Sequence, residues 1–120
     1  EILSTEIKKT FNNNGISKLV FINRGEITRF NYYLNKIDNK FKNKIFLKTK
    51  SISPGNFYEQ NYNYDKINHK RDERIMIINR NLNIRNDFTN LTEIKFIRKI
   101  STDTIKHHKR TYYLFEGKVK

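Results

Sequence analysis

The chain has 120 residues, with 25 Lys and Arg against 12 Asp and Glu, giving a formal net charge of +13. No apolar run approaches the roughly 20 residues a membrane-crossing helix needs, and with no Cys the chain can form neither a disulfide framework nor a thiolate metal site. Hydrophobic residues make up only 36%, but seven Tyr and nine Phe give bulk to a core, so residues 1–120 are expected to form a single basic α+β domain rather than a disordered chain.

Residues 2–11 read as a short helix, because Leu3, Ile7 and Phe11 fall on one side and Ser4 can cap the start. The run Asn12, Asn13, Asn14 and Gly15 ends it, since Asn and Gly tolerate left-handed backbone. Leu19 to Ile22 is an apolar run of strand length, and Asn23 to Gly25 a turn. Over residues 26–37 the apolar positions Ile27, Phe30, Leu34 and Ile37 form one stripe of an amphipathic helix, with Glu26 in its first turn and Lys36 near its end. Residues 44–50 read as a strand and residues 51–70 as a long loop containing the only Pro. Strands are expected at 73–79, 93–101 and 110–120, joined by polar connections. The expected fold is an antiparallel sheet of about four to five strands with two helices packed on one face. The chain starts at Glu1 without Met and ends in strand pattern, which fits a processed protein, an excised domain or a piece of a longer chain. There is no signal-peptide pattern.

Asn, Ile and Lys occur 17 times each and Ala is absent. These residues have A/T-rich codons, so a biased genome, such as that of an organelle, an endosymbiont or a large virus, explains part of the Lys excess. The field it creates still attracts polyanions. Six of the eight Arg lie in residues 71–120, and the guanidinium fork matches phosphate oxygens better than an ammonium does.

That concentration makes RNA the expected partner and a sheet face the expected surface. Strand 110–120 alternates Thr111, Tyr113, Phe115 and Val119 with Arg110, Tyr112, Glu116, Lys118 and Lys120, so one side packs on helices and the other stays wet. In strand 93–101, Arg98 shares a side with Ile94, Phe96 and Ile100, opposite Glu93, Lys95 and Lys99. Phosphate contacts are expected from Arg74, Arg80, Lys95, Arg98, Lys99, Arg110, Lys118 and Lys120, and base stacking from Tyr112 and from Tyr62 and Tyr64 of the long loop. Phe57 and Tyr58 in that loop, and Arg29, Tyr32, Tyr33, Lys36 and Lys40 around the second helix, are secondary candidates. A non-catalytic component of a ribosome or another ribonucleoprotein particle, with protein neighbours in the assembly, suits this pattern.

Two other functions compete. His107 and His108, followed by Lys109 and Arg110, hold the residue types of a metal-independent ribonuclease, with His69 further off, although neighbours on a strand point apart. Glu93-x-Lys95 and Glu116-x-Lys118-x-Lys120 are loosely similar to strands of tunnel-shaped RNA triphosphatases, whose interiors alternate acids for metal with cations for triphosphate. Leu91 stands where the paired glutamate would be, so that resemblance implies no metal ligand set. A third possibility is a protein-interaction subunit whose charge follows from composition alone. No cofactor or metal motif is present.

Overall fold

The computed structural model describes residues 2–13, 15–22, 34, 36, 41, 44–48, 63–82, 84, 88–103 and 109–120. Helix α1 (Ile2–Asn13) starts before Ser4, which therefore lies inside the helix rather than capping it. Its side chains Ile7 and Phe11 are buried. Gly15 takes a left-handed φ of 63°, and the Ile16 amide donates back to the Phe11 carbonyl at 3.4 Å. Phe11 and Ile16 then meet in the core, the apolar contact that accompanies this kind of helix end.

Five strands follow: β1 (Lys18–Phe21), β2 (Ile45–Leu47), β3 (Arg74–Asn79), β4 (Leu91–Asp103) and β5 (Lys109–Val119). They form one sheet in the order β2-β1-β3-β5-β4. The sheet is mixed rather than antiparallel: β1 runs parallel to both β2 and β3, while β5 runs antiparallel to β3 and β4. The cause is visible in the strands themselves. Leu-Val-Phe, Ile-Phe-Leu and Ile-Met-Ile-Ile are continuous apolar runs, as strands covered on both faces must be.

Both faces are indeed covered. On the helix face, Ile7 and Phe11 pack with Leu34, Phe41, Leu19, Phe21, Met76, Ile78, Tyr112 and Leu114. On the opposite face Val20, Phe46, Ile75, Ile77, Phe115 and Val119 pack beneath Tyr64, Ile84 and Phe88, which the connections before β3 and β4 supply. Among the described residues there is one α-helix rather than two. The second predicted helix, 26–37, lies outside them except for buried Leu34 and exposed Lys36. The predicted loop 51–70 is described from Asn63 on, where Asn63 accepts a hydrogen bond from the Asp65 amide at 2.9 Å and caps the short 3-10 turn Tyr64–Lys66.

Candidate nucleic-acid interface

Four predicted cations share the helix face, beside the area that α1 covers. In the β3/β5 ladder Arg74 lies directly opposite Lys118, and in β4/β5 Lys95 lies opposite Glu116. Like charges placed across from one another destabilise a sheet, and here carboxylates of Glu116 and Asp72 lie beside them. Glu116 is buried to 7% exposure, with Arg74 Nη1 at 3.5 Å and Lys95 Nζ at 3.9 Å. Arg98 Nη1 reaches Glu6 of α1 at 2.9 Å, and Lys118 Nζ lies 3.7 Å from Asp72. The four cationic side chains keep between 40% and 70% of their surface exposed.

Alternation alone puts Lys95 and Arg98 on opposite sides, but irregularities in β4 between Thr92 and Lys95 and between Phe96 and Arg98 reset its register. The first accommodates Glu93 at a φ of 55°. It lies over Gly117, where a Cβ would come within 2.8 Å of Leu91 Cδ1 and 3.4 Å of Ile94 Cγ1. After the second, Ile97 turns toward the helix-face core and Arg98 pairs with Leu114 of that same face.

Other predicted contacts are placed elsewhere. Arg80 follows β3 and Arg110 is the second residue of β5, at the end of the sheet away from Arg74 and Lys118. Lys99 pairs with Tyr113 on the opposite face. Lys120 lies just past β5, its amide donating to the Asn90 carbonyl at 3.0 Å. The two described tyrosines expected to stack are both 1% exposed. Tyr112 is buried because α1 covers its face, and Tyr64 because it roofs the other. Neither ring is offered to a base. Tyr62, Phe57, Tyr58, Arg29, Tyr32, Tyr33, Lys40, His107 and His108 lie outside the described residues.

Sequence reasoning did not single out a second polar cluster, at the base of β1 and β3. Lys18 Nζ donates to Glu73 Oε1 at 2.8 Å, to the Asn68 carbonyl at 3.0 Å and to His69 Nδ1 at 3.1 Å. Because His69 Nδ1 accepts, the imidazole carries its proton on Nε2 and donates it to the Tyr64 carbonyl at 2.9 Å. Burial pushes the Glu73 carboxyl up, but hydrogen bonds from Lys18 and Ser17, the Lys18 charge and the Lys70 amide outweigh it and hold the group below its ordinary value. Above this cluster the Tyr64 hydroxyl donates to Asn90 Oδ1 at 3.1 Å and accepts from Asn90 Nδ2 at 2.9 Å. Burial is the main cause that raises the Tyr64 phenol to about 12; the Asn90 bond opposes the rise, and the charges of Asp65 and Glu73 add to it. These bonds make the cluster a strut that ties residues 63–73 to β1.

Among the described residues no three His, Asp or Glu side chains gather as a metal site, and no helix is long and apolar enough to cross a membrane. Among the described strands β2 and β4 stand at the outside of the sheet, and Leu47 of β2 forms a parallel bridge with Asn63. No protein-family model matches the chain, nor does any curated protein or solved structure.

Proposed function

We propose that this protein binds RNA through its phosphates, as a non-catalytic part of a ribonucleoprotein particle. The observation that carries the proposal is the Arg74/Lys118 cross-strand pair with Lys95 beside it, where Arg74 and Lys95 share the buried carboxylate of Glu116 and Lys118 lies by the exposed Asp72. Placing like charges opposite one another costs stability, and an external polyanion offsets that cost. The pairs with Glu6 and Asp72 do not cancel this surface, because ion pairs this exposed contribute only about 0–1 kcal/mol and a phosphate can displace them, while Arg74 and Lys95 keep more than half of their side-chain surface exposed beside Glu116. Arg74 and Arg98 present guanidinium forks and Lys95 and Lys118 point charges, a mixture that holds a backbone without reading sequence.

The test is binding of a fluorescent RNA followed from low to high salt. The logarithm of affinity should fall linearly with the logarithm of salt, with a slope of about −0.7 to −0.9 for each phosphate neutralised. Intact RNA should be recovered after incubation. Affinity independent of salt, or cleaved RNA, contradicts the proposal.

A further inference from the structure

The cationic face ends at β4, the outer strand of the sheet, and that edge carries a feature of a different kind. Phe96 is 50% exposed, whereas most large apolar side chains among the described residues are buried. Its ring is held, not loose. It meets Phe115 nearly edge-on at 5.7 Å between centroids and Tyr113 at 6.3 Å. Lys99, cross-strand partner of Tyr113, is exposed on this same face. Lys95 and Arg98, on either side of Phe96 along the edge, project to the opposite, cationic face of the sheet, so a nucleic-acid strand that uses both them and the ring wraps around the edge.

We infer that the β4 edge is a binding site for unpaired nucleotides, with a base stacked on Phe96 and Tyr113 and the adjoining phosphates held by Lys95, Arg98 and Lys99. This rests on the phosphate-binding proposal and sharpens it, since the substrate becomes single-stranded nucleic acid rather than duplex. The charge along the edge selects the occupant. An apolar protein partner would desolvate Lys99 to reach one phenyl group and meet Lys95 and Arg98 on rounding the edge, whereas a single strand brings a π face and a phosphate together at each nucleotide. A base in a duplex is already stacked and paired, so it cannot use the ring.

The chain contains no Trp, so Phe96→Trp introduces a unique fluorophore at the site. Adding a 15-nucleotide oligouridylate should quench its emission, while inorganic polyphosphate of matched charge should compete for binding without quenching. Phe96→Ala should lower single-strand affinity by about 5- to 150-fold, the equivalent of about 1–3 kcal/mol for one stacked base, with the salt slope and duplex affinity unchanged. Phe96→Leu, which fills the volume without a π face, should match the Ala variant in binding while keeping the wild-type thermal midpoint.

The inference is overturned if both variants bind the oligonucleotide within twofold of wild type, a result that leaves salt-dependent phosphate binding standing. It is overturned equally if sedimentation shows a dimer that Phe96→Ala dissolves, which would make the edge a contact between copies. If the wild type binds no RNA at low salt, the broader proposal fails as well.

Discussion

Lys18 directs all three of its ammonium N–H groups at Glu73, His69 and the Asn68 carbonyl, and its side chain is only 15% exposed. Replacing Glu73 with Gln leaves that ammonium half-enclosed without its counter-charge, and should cost about 1–3 kcal/mol in denaturant unfolding at neutral pH. The pH dependence carries a definite sign. Because the carboxyl of Glu73 is lowered in the folded protein, it favours the unfolded state as proton acceptor. Its stabilisation is present above the ordinary carboxylate value and is lost as pH falls through the lowered folded value. The wild-type acid limb should therefore exceed that of the Gln variant. Tyr64 has the opposite sign. Its phenol is raised to about 12, so its contribution is intact below the ordinary tyrosine value of about 10 and fades as pH rises toward the folded one. Tyr64→Phe should remove that part of the alkaline limb and cost about 1 kcal/mol at neutral pH through the lost Asn90 pairing.

At the scale of elements, the mixed sheet makes a prediction that a one-sided antiparallel sheet does not. Ile75 and Met76 are adjacent in β3, fully buried, and belong to opposite core layers. Truncating either to Ala should cost about 2–5 kcal/mol. If one face were wet, only one of the two would. Gly117→Ala should cost about 1 kcal/mol by overpacking against Leu91 and Ile94, and Leu91→Ala should relieve part of that penalty in a double-mutant cycle.

The positions of α1 and all five strands were legible in local patterning: the Ile7/Phe11 spacing, Gly15, and the apolar and alternating runs. The covering of both faces was harder to read. Strand β5 alternates cleanly, which suggests one wet side, yet α1 closes over Tyr112 on that side. The cue to this lay elsewhere, in the unbroken apolar run of β3, which cannot have a wet face. The cationic surface was legible in part. Lys118 and Arg74 follow from alternation, but Lys95 and Arg98 come together only because the irregularity at Ile97 shifts the register by one, and one sequence does not reveal such a bulge. Alternation likewise says nothing about which end of a sheet a residue occupies, and this separates Arg80 and Arg110 from the rest.

For the whole molecule, the question is whether a charge of +13 acts as a diffuse cloud, as genome composition alone would produce, or through one face. The most direct measurement compares two variants of equal charge. One changes Arg74, Lys95 and Lys118 to Gln; the other changes Lys44, Lys70 and Arg80, which are exposed and lie outside the cluster around Glu116. Salt titration of RNA binding should show the first variant's slope flattened by about 2 relative to wild type, while the second stays close to wild type. Equal flattening in both variants would contradict a localised site and leave only a diffuse attraction for polyanions.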